Sequence, residues 1–105
     1  MFNFLLDLIT EKGRGIHAYS AVAKAAFERT LSEPEHAAAF YFLATSAENF
    51  VEMHERQPLS SKALEQNFEA FRADIQALEA SLNDSIEKRL SVLNEVVKAH
   101  VERTQ

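Results

Sequence analysis

Four histidines are the residues best suited to chemistry in this chain of 105 residues, because it contains no cysteine. Thiolate metal sites, disulfides, redox motifs and cysteine nucleophiles are therefore excluded. His36 and His54 are eighteen residues apart, five turns of a helix at about 3.6 residues per turn, so they project in one direction. That direction is the middle of an apolar stripe, between Phe40, Leu43, Ala47 and Phe50. His100 projects between Leu93, Val96 and Val97. In an up-and-down bundle the third and fifth helices run parallel, which puts His54 and His100 at one end. His17, opening the antiparallel second helix, falls at that end too. Three imidazoles so placed are a candidate site for a divalent transition metal such as zinc, with an open fourth position. The competing reading is structural. His54 and His100 sit near helix C-termini, where a histidine complements the negative end of the dipole, and His17 lies on a polar face as a solvated side chain.

The other patterns that carry chemistry are incomplete. Glu33-Pro-Glu-His36 is formally Glu-x-x-His, but it occurs once, whereas di-iron carboxylate bundles need two such pairs and two further inward glutamates. Glu48 and Glu52 project away from the apolar stripe. There is no Gly-x-Ser-x-Gly elbow, phosphate-cradling glycine loop or His-Glu-x-x-His. Ser20, Ser46, Ser60 and Ser61 have no evident base. No constellation of catalytic residues emerges, and the expectation is a protein without enzymatic activity and without a resident cofactor.

The elements that must position these side chains read as helical nearly throughout. A short first helix is expected from Phe2 to Lys12, ended by Gly13-Arg-Gly15, since glycine readily takes the left-handed conformation that closes a helix. The second runs from Ile16 to about Leu31, with Ala18, Ala21 and Ala25 offering a face small enough for close approach. Ser32-Glu-Pro-Glu35 reads as a capping box that opens the third helix, which should reach about Gln57 before Pro58. Beyond it, Leu64, Phe68, Phe71, Ile75, Leu78 and Leu82 follow steps of 4, 3, 4, 3 and 4, a heptad seam. Ile86, Leu90, Leu93 and Val97 continue it after Asn83-Asp-Ser85. Two readings compete at that junction. In the favoured one, Asp84 caps a new helix with Glu87 completing the box, and the chain reverses. In the other, the 4–4 spacing is a stutter in one helix of about 44 residues, roughly 65 Å long, which would need a partner strand.

The fold class is thus all-α, a single domain over residues 1–105. It is either a bundle of about four main helices with a short N-terminal helix, or a long C-terminal helix in a coiled-coil-like dimer. Only two Gly and two Pro are present, too few turn signals for a many-stranded sandwich. Eleven basic and sixteen acidic residues give a formal charge of −5, and only Lys88 and Arg89 are adjacent cations. That disfavours a nucleic-acid partner, which requires clustered positive charge. Met1 to Ile9 lacks the early Lys or Arg of a signal peptide and is interrupted by Asp7. No window supplies the ~20 apolar residues of a membrane span, and the expected location is the cytoplasm.

The apolar content points to association. Phe40-Tyr-Phe42 places aromatics on more than one face, since three successive helix positions cannot share one core. Phe42 and Met53 fall on a flank of the third helix. With the seam of Leu64, Phe68, Phe71, Ile75 and Leu78 they form the expected interface. The leading functional expectation is a non-enzymatic interaction or regulatory module acting through helix–helix association, with a second copy as the simplest partner. The alternative is a bundle that binds a metal or small ligand near His17, His54 and His100.

Overall fold

The computed structural model describes all residues from 1 to 105. Five helices follow in order: α1 Phe4–Glu11, α2 Ile16–Ser32, α3 Ala37–His54, α4 Ser61–Ala80 and α5 Ile86–Thr104, with a 3-10 turn at Pro34–His36 before α3. There is no strand. The extents are 42 by 27 by 18 Å, and the thinnest dimension fits two layers of helices at interaxial distances of about 8–10 Å.

α2 and α3 form the most extensively packed pair. Ala18, Ala23 and Ala26 on one helix and Ala39, Ala44 and Ala47 on the other are all buried. Small side chains on both helices let the two backbones approach closely. Larger side chains complete the core around this contact: Leu5 and Ile9 from α1, Tyr19 and Val22 from α2, Phe40 and Leu43 from α3, Ile75 from α4 and Val96 from α5. α5 contributes only Val96 to the fully buried set, so it lies on the bundle more than within it.

The helix ends follow local rules, with two departures from the sequence reading. α1 closes with Gly13 at φ 90°, Gly13 N–H donating to Thr10 O and Arg14 N–H to Ile9 O, the paired bonds of a glycine-terminated helix. Ser32 does not cap α3. It is the last residue of α2, and the break falls at Glu33 (φ −125°, ψ 70°). Pro34 forces this, because its ring disfavours helical geometry in the residue before it. The reversal between α4 and α5 is present, so the long continuous helix is not formed. Its cap is Ser85 rather than Asp84: Ser85 is extended and its Oγ accepts from Lys88 N–H at 3.2 Å. Asp84 instead lies 4.0 Å from Lys88 Nζ. Ser60 caps α4, accepting from Ala63 N–H at 3.0 Å.

Glu79, near the end of α4, organises the start of the chain. Its Oε1 accepts from the backbone N–H groups of Phe2 at 2.7 Å and Asn3 at 3.0 Å, and the amino group of Met1 lies 2.9 Å from Oε2. A carboxylate here satisfies orphan amides and faces the positive end of the α1 dipole. Desolvation pushes the Glu79 carboxyl upward, but the bonds from Met1, Phe2 and Asn3 together outweigh it and hold the pKa below the ordinary glutamate value. Replacing Glu79 with Ala should destabilise the fold by about 1–2 kcal/mol, the cost of stranding partly buried donors. Urea denaturation checks this, and an unchanged midpoint would contradict it.

Candidate functional site

A cavity of about 570 Å³ opens where the C-terminal halves of α3 and α5 meet the N-terminal half of α4 and the beginning of α2. Its aromatic wall is built from three elements. The Tyr19 ring lies 4.5 Å from that of Phe50 and 5.7 Å from that of Phe71, centroid to centroid. Tyr19 is 0% exposed, because α2 directs it inward on the same face as Ala23 and Ala26. Its hydroxyl has no hydrogen-bond partner. The Asn67 carboxamide is near enough to act on it. Burial pushes the Tyr19 phenol above its usual range, against smaller downward pulls from Asn67 and the Arg14 guanidinium.

The cavity lining also carries charge. Asp74 is buried on α4, and its Oδ2 accepts from the Arg103 guanidinium of α5 at 2.7 Å. Desolvation raises the Asp74 pKa, and the bond and charge of Arg103, with the nearby His100, offset only part of that rise. His100 sits between this pair and α3. Its Nδ1 is 3.5 Å from Ser46 Oγ, and its ring meets Phe42 edge-on at 5.3 Å. Burial holds His100 below the ordinary histidine value, Arg103 adds to that, and Asp74 pulls the other way. With its pKa held below 6.5, the imidazole is mainly neutral at pH 7, near an ion pair that is already closed.

Of the histidines read from the sequence, the structure brings His54 and His100 onto this cavity and leaves His17 on the exposed side of α2. His54 packs on Phe50 at 4.8 Å, and His36 is edge-on to Phe2 at 6.0 Å. No group of three His, Asp or Glu side chains is arranged to hold a metal ion.

The expected interface is redistributed. Phe68, Phe71, Ile75 and Leu78 are buried within the chain's own core, Phe42 is covered by His100 of α5, and Leu64 is partly buried against the same core. A single chain supplies the complement to that seam, because the reversal at Ser81–Ser85 folds α5 back beside α4. Met53 alone remains open, at 58% exposure. Other large apolar side chains left exposed are Leu31 on α2, Tyr41 on α3 and a group on α5. Ile86 is 74% and Leu90 56% exposed, and they flank an apolar groove of about 210 Å³ that also reaches Phe2, Leu78, Leu82 and Leu93. Arg89 lines the same groove; its Nε is buried without a partner.

Comparison with protein-family models, curated proteins and solved structures gives no match. No helix is long and apolar enough to cross a membrane.

Tyr19, Asn67, Asp74 and Arg103 are the site residues that spacing did not reveal. One signal was available for Asp74: it stands inside the α4 seam, next to Ile75 and three residues after Phe71. A carboxylate in an apolar stripe needs a cation, and α5 holds it.

Proposed function

We propose that this protein is a non-enzymatic helix-docking module that associates with a second copy of itself through α5. The observation that carries this reading is the exposure of Ile86 and Leu90 beside an apolar groove on the same face. One copy thus offers both the groove and the side chains that would fill it, the requirement for a self-complementary two-fold interface. Ile86, Leu90, Leu93 and Val97 follow steps of 4, 3 and 4 along α5, a seam that suits a second helix. Charge supports an antiparallel arrangement. Glu87 and Lys98 are eleven residues apart and both exposed, about three turns, so they lie on one flank of the helix. An antiparallel partner places the Glu87 of each copy opposite the Lys98 of the other.

The test uses substitutions that leave the core untouched. Light scattering and native mass spectrometry should give twice the chain mass for the wild type, and the single mass for Ile86→Glu with Leu90→Glu, at unchanged helicity. Glu87→Lys should weaken the dimer and Lys98→Glu in the same chain should restore it. A wild-type monomer at all concentrations, or a dimer indifferent to Ile86 and Leu90, would overturn the reading.

A further inference from the structure

We infer that the groove between the start of α3, the end of α4 and the first half of α5 binds a medium-chain aliphatic carboxylate, headgroup on Arg89. Arg89 is the only arginine or lysine on the lining. It takes part in none of the ion pairs of the molecule. Its Nε is closed to solvent without a partner, whereas the terminal Nη atoms of this partly exposed side chain stay accessible and unbonded. A ligand reaches the guanidinium through those two atoms. A cation part-way out of water with no counter-ion gains from a carboxylate, which accepts two parallel N–H bonds from the fork. Glu35 stands exposed on the rim and does not pair with it.

The rest of the lining selects the tail. Leu78, Leu82, Ile86, Leu90 and Leu93 make the walls aliphatic, and each methylene that they bury adds affinity. Ile86 to Leu93 covers about 10 Å of α5 at 1.5 Å rise per residue, a length that suits a linear chain. The volume of about 210 Å³ holds roughly seven groups of the ~30 Å³ that a small molecule occupies in a liquid. An acid of octanoate size fits. The inference shares this groove with the docking reading without resting on it: the acid and a second copy compete for one surface.

The probes are octanoate, octanol with the same chain and no charge, octylammonium with the opposite charge, and acetate with the headgroup alone. Heteronuclear NMR titrations use the full chain and its Lys98→Glu variant, which lies outside the groove and weakens the dimer on the docking reading. Octanoate should saturate at millimolar concentration, shifting the Arg89 guanidinium and the methyl groups of Leu78 and Leu93. Octanol and octylammonium should bind more weakly, and acetate should leave the methyl groups unmoved. Arg89→Gln should raise the octanoate Kd about tenfold or more and leave that of octanol unchanged, at unchanged helicity. Arg89→Lys, which keeps the charge and loses the fork, should fall between. A wild-type chain that stays monomeric while octanoate binds would defeat only the docking reading. The present proposal is overturned if octanoate shifts the groove in neither chain, if octanol or octylammonium binds as well, or if both Arg89 variants keep the wild-type affinity.

Discussion

Ile75→Glu should abolish the cooperative fold, leaving a chain with no sharp thermal transition by circular dichroism. Ile75 is 0% exposed at the centre of α4, in the cluster that joins all five helices. Truncating a buried isoleucine alone costs about 2–5 kcal/mol, and the carboxylate must also be buried without a cation or be protonated at further expense. The sum reaches the ~5–15 kcal/mol total stability of an ordinary domain. The same substitution at Ile86, which stands largely in solvent, should change stability by only about 0.5 kcal/mol or less. The two variants therefore separate the seam that folds the chain from the one proposed to join two chains. Comparable melting curves for both would mean that α4 is not inside the core.

The second large effect concerns the ion pair that ties α5 to α4. Arg103→Met should cost about 2–3 kcal/mol at pH 7. Breaking a fully buried pair costs about 3–5 kcal/mol, and the figure is lower here because the guanidinium is partly exposed whereas Asp74 is not. The substitution should also raise the pKa of His100 towards its ordinary value of 6.5, since Arg103 is one of the groups that depress it and Asp74 would be left to attract the proton. NMR titration of the His100 ring checks this, and an unmoved value would show that the two side chains do not sense each other.

The wild-type response to acid follows from the same residues. His100 binds its proton less readily folded than unfolded, so its contribution is complete above about pH 6.5 and declines as the pH falls through that value towards the lower folded one. Asp74 acts oppositely. Its raised pKa returns stability as the pH falls from that value through the ordinary 3.8. Glu79, held below 4.5, keeps its contribution above that value and loses it as the pH falls through its depressed one.

Much of the fold was legible because helix periodicity and breakers are local. Gly13 closes α1, Pro34 parts α2 from α3, and the polar run at Asn83-Asp-Ser85 turns the chain. The ends were less legible. Ser85 rather than Asp84 caps α5, a choice between adjacent residues that depends on which one is extended. The parallel course of α3 and α5, read from an up-and-down order, placed His54 and His100 together as the cavity has them. The α4 seam was harder, because a heptad specifies that a complement exists and not which chain provides it. Phe42 shows the same limit: the flank it occupies is met by His100 of α5. The Tyr19 hydroxyl was beyond sequence reasoning altogether, since its lack of a partner depends on where Asn67, 48 positions away in sequence, comes to rest.

The grip of Glu79 on the first residues bears on the order in which the molecule assembles. That contact closes a loop of 76 to 78 residues, and Arg14, whose guanidinium lies 3.9 Å from the centre of the Phe68 ring, draws the same segment along α4. α2 and α3, joined by a short turn, close a far smaller loop. Each doubling of loop length adds about 0.6 kcal/mol of entropic cost, so bringing the N-terminus to α4 is the more expensive encounter by about 2 kcal/mol. The α2–α3 hairpin is then the expected nucleus, and the hold of Glu79 on residues 1–3 closes late, once α4 is in place. Interactions made after the rate-limiting step act on the rate of leaving the native state. The loss in Glu79→Ala should therefore emerge as faster unfolding, with the folding rate almost unaltered.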